Sequence, residues 1–124
     1  MRIFVSKAFA KFAHKEGISD TTLLKVICDA EAGKIDADYG GNVIKQRIAR
    51  PNEGKSGGYR SIILFRRGDK AFFVYGFAKS KRDNLDDYEV KTYKELAITT
   101  FALSEEDLTN LLEKQAYIEV KNND

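Results

Sequence analysis

Strand-like alternation and a concentration of positive charge fall on the same stretch of this chain, residues 42–82, so any fold it adopts must place many cations on or beside a sheet. Three apolar strand candidates, Val43–Ile48, Tyr59–Phe65 and Ala71–Ala78, carry or are joined by Lys45, Arg47, Arg50, Lys55, Arg60, Arg66, Arg67, Lys70, Lys79, Lys81 and Arg82. Between residues 45 and 82 only Glu53 and Asp69 oppose them, a local charge of +9 in a chain whose net charge is +2. The remaining residues are correspondingly acidic. A basic sheet between acidic helical flanks points to a polyanion on one surface more directly than the pI of about 8.6 does.

A chain of 124 residues supports one core and is too short for two ordinary domains. No apolar run approaches the roughly 18–20 residues of a membrane span, and Arg2 leads directly into a strand-like Ile3–Val5 without a secretory apolar region. The expected location is cytoplasmic, with no membrane partner. Cys28 is the single cysteine, which excludes an intrachain disulfide and leaves cysteine metal sites without ligands. It is expected to be a small core residue beside Leu24 and Ile27. The one histidine, His14, sits in a helical stretch away from the basic strands, which argues against metal, Ser–His or Cys–His chemistry. No cofactor is expected.

The periodicities predict an α+β single domain over residues 1–124, with a central antiparallel sheet of about four strands, an N-terminal helix hairpin and C-terminal helices. Ser6 is a candidate cap for a helix over 7–16 that Gly17 ends, and Ser19 or Asp20 caps a second with the stripe Leu23, Leu24, Ile27, Cys28 and Ala30. Asp36–Gly41 reads as a turn-rich link. In Val43–Ile48 the alternation puts Ile44 and Ile48 on a core face and Lys45 and Arg47 on the other. Arg50–Gly58 holds the only proline and three of the nine glycines, and is expected to be a mobile connection. Arg67–Lys70 is a hairpin turn. Asp86 with Glu89 forms a capping-box signal before a stripe of Val90, Tyr93, Leu96, Ala97 and Phe101; Ser104 with Asp107 repeats it before Leu108, Leu111 and Leu112. Residues 103–124 are read as a C-terminal helical extension in which Tyr117–Val120 could form a short strand.

Two motifs bear on chemistry. The run GKSGG over 54–58 superficially resembles a phosphate loop, but Ala49 stands where GxxxxGKS needs glycine and no helix follows, so a nucleotide P-loop is rejected. A glycine-rich basic loop with Lys55 and Ser56 can still bring main-chain N–H groups close to an RNA backbone, and a solvated hairpin loop is the plain alternative. The stronger constellation is Lys45 and Arg47 on one strand, Arg60 at the start of the next, and Lys79, Lys81 and Arg82 after the third. If the strands are adjacent and antiparallel, these cations converge on one patch, suited to RNA or phosphate or, alternatively, to an acidic protein partner.

The ordered run VIKQRIARPNEGKSGGYR, followed by FFVYGFAKSKRDNL, resembles the RelE/ParE superfamily of type II toxin–antitoxin toxins, particularly its RelE/HigB-like branch. The resemblance covers roughly residues 1–102. It implies a small α/β protein with a central antiparallel sheet, acting as a ribosome-dependent mRNA endonuclease and held inactive by a cognate antitoxin, with operator DNA reached through the antitoxin complex. Lys45 and Arg47 match the two basic positions of the family's second strand, Arg60 the arginine after Gly-Tyr, and Lys79 the basic position after the fourth strand. Ser80 stands where the most active branch often has arginine, and Tyr88 is an approximate counterpart of a C-terminal tyrosine.

Metal-free RNA cleavage by a 2′-hydroxyl needs proton removal, stabilisation of a doubly charged phosphorane-like state, and a proton for the leaving 5′-oxygen. Lys45, with other cations around it, is the expected base, Arg60 the bidentate phosphate clamp, and Lys79, Arg82 or Tyr88 the acid, with Arg47 in the same cluster. Arg50, Lys55, Ser56 and Lys81 are expected RNA contacts. Two other classes fit the same residues: a non-enzymatic toxin binding a protein such as DNA gyrase, and an inactive antitoxin-binding corepressor.

Overall fold

The computed structural model describes residues 1–50 and 54–121. Ten elements follow one another: β1 (Arg2–Ser6), α1 (Lys7–Glu16), α2 (Asp20–Glu31), β2 (Ala37–Gly40), β3 (Val43–Arg50), β4 (Gly54–Arg66), β5 (Lys70–Ala78), α3 (Asp87–Phe101), α4 (Glu105–Glu113) and β6 (Tyr117–Val120). The α+β class holds. The sheet is larger than the sequence suggests, with six strands in the order β2-β3-β4-β5-β1-β6, and it is mixed because β1 runs parallel to β5.

Local chemistry sets the helix ends. Ser6 accepts from the Phe9 amide, Ser19 from Thr22 and Ser104 from Asp107, while Gly17 takes the left-handed conformation (φ 70°) that ends α1. Asp86 and Glu89 form a reciprocal capping box at the start of α3. Each of these caps falls where the sequence puts it.

The sheet is covered on both faces. Alternation sends Ile3, Val5, Ile44, Ile48, Tyr59, Ile63 and Phe73 toward α1 and α2, where Phe9, Ala13, Leu23, Val26 and Ile27 meet them. Phe4, Val43, Ile62, Leu64, Phe72 and Phe77 face the other way, against Ala97 of α3 and Leu108 of α4. This second layer makes the face that carries Lys45 an interior one rather than an open basic surface.

Four local expectations change. Asp36–Gly41 is not simply a link, because Ala37–Gly40 pairs with β3 as an edge strand. Pro51–Glu53 lie outside the described residues, but Gly54–Gly58 are not a loop and extend β4. Cys28 is exposed, since the buried stripe of α2 is Leu23, Val26, Ile27 and Ala30, and Cys28 turns outward from it. Leu96 is also exposed, at the rim of a stripe carried by Ala97 and Thr100.

Two irregularities shape the sheet around the site. Between β4 and β5 the register shifts so that Ile62 faces Tyr75 while Ile63 faces Phe73, leaving Val74 as an extra residue. The shift turns Tyr75 and Phe77 to the α3 side and leaves Gly76 against the Phe12 ring of α1, where an added Cβ would come within 2.4 Å of a ring carbon. At the β3–β4 irregularity Gly58 lies so close to its neighbour that a Cβ would stand 2.2 Å from the Ile48 carbonyl oxygen. Backbone cannot step aside as a side chain can. Gly58→Ala is expected to destabilise the fold by about 1–3 kcal/mol through forced strand separation, read as a lower urea midpoint with an unchanged slope.

Candidate RNA-binding cleft

The antiparallel register of β3, β4 and β5 builds the cluster. Arg47 lies opposite Arg60, and Arg60 lies opposite Phe77, so these three residues form one row across the sheet, with Lys45 one step along β3 on the same face. Arg60 and Lys45 are buried, as residues with 1 % and 5 % of their surface accessible. Charges at such depth need partners.

The partners come from two acidic or polar segments. Asp36, just before β2, bridges Lys45 Nζ (3.4 Å) and Arg47 Nε (2.8 Å). Its own amide donates to Gln46 Oε1 at 2.9 Å, and Gln46 Nε2 in turn donates to the Lys34 carbonyl at 2.9 Å, which fixes the carboxylate against the edge of β3. From the other side the β5–α3 connection folds over the cations. Lys45 Nζ donates to Asn84 Oδ1 (2.6 Å) and to the Asp83 carbonyl (3.0 Å), and Arg60 Nε donates to Asp83 Oδ1 at 3.1 Å.

Arg82 closes the cleft. Its guanidinium lies over the Phe77 and Tyr75 rings, 5.3 and 5.9 Å from their centroids, and is held by both oxygens of Glu89, one of them at 3.0 Å from Nη1. The hydrogen bond to Glu89 raises the Arg82 pKa, and the same contact, with the Asp86 amide, lowers that of Glu89. Tyr93 of α3 stacks on Tyr75 with centroids 6.4 Å apart. The Tyr39 hydroxyl is enclosed near the Leu85 backbone, and burial raises its pKa.

The structure therefore brings Lys45, Arg47, Arg60 and Arg82 together, but with carboxylates among them. The cationic surroundings expected for Lys45 include Asp36 and two carbonyl oxygens. Lys79 and Lys81 are exposed beside the cleft, and the Lys79 amide joins the strap to β4 through the Gly58 carbonyl. Tyr88 lies on the first turn of α3 with 79 % of its surface accessible. Arg50 is drawn to the opposite face, stacked on Tyr59 (4.8 Å) and donating to its hydroxyl, which donates to Glu16. The side chains of Lys55 and Ser56 lie outside the described part of the structure. Arg66, Arg67 and Lys70 sit at the β4–β5 turn, at the other end of the strands, where Lys70 meets Asp69 and Glu105.

Asp36, Asp83, Asn84 and Glu89 are site residues that sequence reasoning missed. The signal for three of them was present: Asp83, Asn84 and Glu89 follow Lys79–Arg82 closely enough to fold back on the strand ends. Among the described residues no group of three His, Cys, Asp or Glu side chains is placed to hold a metal ion, and no helix is long and apolar enough to cross a membrane.

Two outcomes follow from these contacts. Asp36→Asn strips the buried Lys45 of its carboxylate and is expected to cost about 1.5–3 kcal/mol, measured by urea denaturation at neutral pH. For Glu89 the sign is that of a depressed carboxylate: its contribution is complete above the unfolded value of about 4.3 and is lost as pH falls through the lower folded value. Glu89→Gln, which keeps the acceptor for the Asp86 amide, should flatten the fall in melting temperature below about pH 4.3.

A protein-family model described as the RelE toxin of the RelE/RelB toxin–antitoxin system matches residues 1–120. No curated protein and no solved structure matches the chain. The family match begins at β1 and runs through α4 and β6, taking in every strand that builds the cleft, and the chain belongs to the RelE toxin family.

Proposed function

We propose that this protein is a toxin that blocks translation by cutting messenger RNA on the ribosome, in a metal-independent transesterification, and that a cognate antitoxin keeps it inactive. The observation that carries this reading is Arg60, a guanidinium buried in the middle of the sheet, with Lys45 and Arg47 on the same face and Arg82 over the neighbouring Phe77 ring. A planar guanidinium fixed by packing is pre-organised to hold a phosphodiester through two parallel hydrogen bonds and to stabilise the charge that grows in the transition state. Family membership supports the toxin role.

In this mechanism Arg60 clamps the scissile phosphate, with Arg47 adding charge. Lys45, in its neutral amine form and with Asn84 Oδ1 displaced, takes the proton from the attacking 2′-hydroxyl. Arg82, tied to Glu89 and held in its charged form, serves as a fixed charge rather than a proton donor. Lys79 and Tyr88, both exposed, are the candidates to protonate the leaving 5′-oxygen. Lys81 contacts the RNA backbone, as do Lys55 and Ser56, whereas Arg50 is held on the opposite face by Tyr59. The partners are the ribosome with its message, the antitoxin, and operator DNA through the antitoxin complex, all cytoplasmic.

A second reading, a family member that binds its antitoxin without cutting RNA, is favoured by the carboxylates seated on Lys45, Arg47, Arg60 and Arg82. Induced expression separates the two. With the wild-type chain, new 5′ ends should appear in translated messages. Arg60→Gln, shown to be folded by its melting curve, should reduce them by about 100-fold or more, the scale of losing one oxyanion donor. Full cutting by the folded variant would overturn the assignment of Arg60, and growth without arrest or cuts in wild type would favour the second reading.

A further inference from the structure

Asp36 and Asp83, two of the carboxylates seated on the basic cluster, differ in how they are held. Asp36 is 14 % accessible, bridges two cations and is anchored by Gln46, so it is part of the fold. Asp83 is 52 % accessible and sits at the mouth, while the Arg60 side chain it covers is 2 % accessible. An exposed acid lies as a cap on a buried guanidinium.

From this we infer that the Asp83 carboxylate is a built-in stand-in for the RNA phosphate, holding the anion site on Arg60 until a phosphodiester displaces it. The inference rests on the reading of the cleft as an RNA site. Carboxylate and phosphodiester each carry one negative charge and offer two oxygens to a guanidinium, so the exchange puts one anion in the place of another on Arg60.

The geometry makes the exchange small. Lys45 Nζ is bound to the Asp83 main-chain carbonyl, and this contact anchors the strap independently of the Asp83 side chain. Rotation of one half-exposed side chain into water takes the carboxylate off Arg60 without breaking that anchor. Arg82, on its aromatic platform with Glu89, holds the neighbouring end of the strap. The device lowers affinity for stray RNA and phosphate in proportion to the strength of the Asp83–Arg60 contact. It leaves the site available to a phosphate delivered in a fixed position, as in a message held on the ribosome.

The test is binding of a fluorescent octamer of 2′-O-methyl RNA, which lacks the attacking hydroxyl, to the full-length protein, followed by anisotropy at low salt. Asp83→Asn and Asp83→Ser should each bind about two- to five-fold more tightly than wild type, the scale of one partly exposed ion pair. Asp87→Asn removes the same charge from the start of α3, away from Arg60, and should change binding much less. In an Arg60→Gln background the gain from Asp83→Asn should vanish. Unchanged or weaker binding by both Asp83 variants with native melting curves overturns the inference, as does a gain that survives in the Arg60→Gln background. If wild type cuts messages but the Asp83 variants bind no better, the exchange fails and the nuclease reading stands. If the variants bind more tightly in the Arg60-dependent way while wild type makes no cuts, the exchange stands and the nuclease reading fails.

Discussion

Arg60 is a charge where the fold has little water to offer, and much of the local architecture answers to it. A guanidinium on the inner face of a central strand needs anions and acceptors within reach. The strap from Lys79 to Asp86 supplies them by turning back over the ends of β4 and β5 instead of running straight into α3. Its path is set by polar contacts at Asp83 and Asn84 and by Leu85, which drops into the second core layer. The beginning of α3 is fixed by the same segment, since Asp86 is its cap and Glu89 both closes the capping box and holds Arg82.

Apolar packing determines where this polar assembly can exist. Val43, Ile62 and Leu64 occupy the half of the face beneath α3 and α4, and the row of Arg47, Arg60 and Phe77 lies further along the same strands. One sheet face thus passes from hydrocarbon to cations within a few residues. The glycine and aromatic content serves this division: Gly76 lets α1 approach from behind, and the displaced register places Tyr75 and Phe77 under Arg82.

Much of this was legible in the residues. Ser6, Ser19, Asp86 and Ser104 marked helix starts because their side chains satisfy local amides, a rule that needs no tertiary context. The alternation of Val43–Ile48 fixed which residues share a face, and the position of Arg60 after Gly58-Tyr59 brought it level with Arg47. What could not be read was pairing between distant segments. Parallel addition of β1 to β5 leaves no local signature, and β2 is too short and too polar to announce itself as a strand. The extra residue at Val74 inverts the in-and-out pattern of β5, which hydrophobicity hides because both faces are apolar. The charge count misled in one respect: summing cations along 45–82 left out Asp36, Asp83 and Glu89, acids just outside that window which fold onto it. Cys28 misled differently, since a small apolar residue next to a buried stripe can turn either way.

The position of β1 also governs the order in which the molecule can be completed. β3, β4 and β5 are consecutive hairpins, so the cation-bearing row can assemble from neighbouring residues. β1 pairs with β5 and β6, both far along the sequence, and Arg2 and Glu119, which join β1 to β6, are 117 residues apart. Contacts of such separation close late because the entropy of the intervening loop must be overcome before they form. The half of the sheet that carries the chemistry is therefore local in sequence, while the half that locks the domain waits for β6.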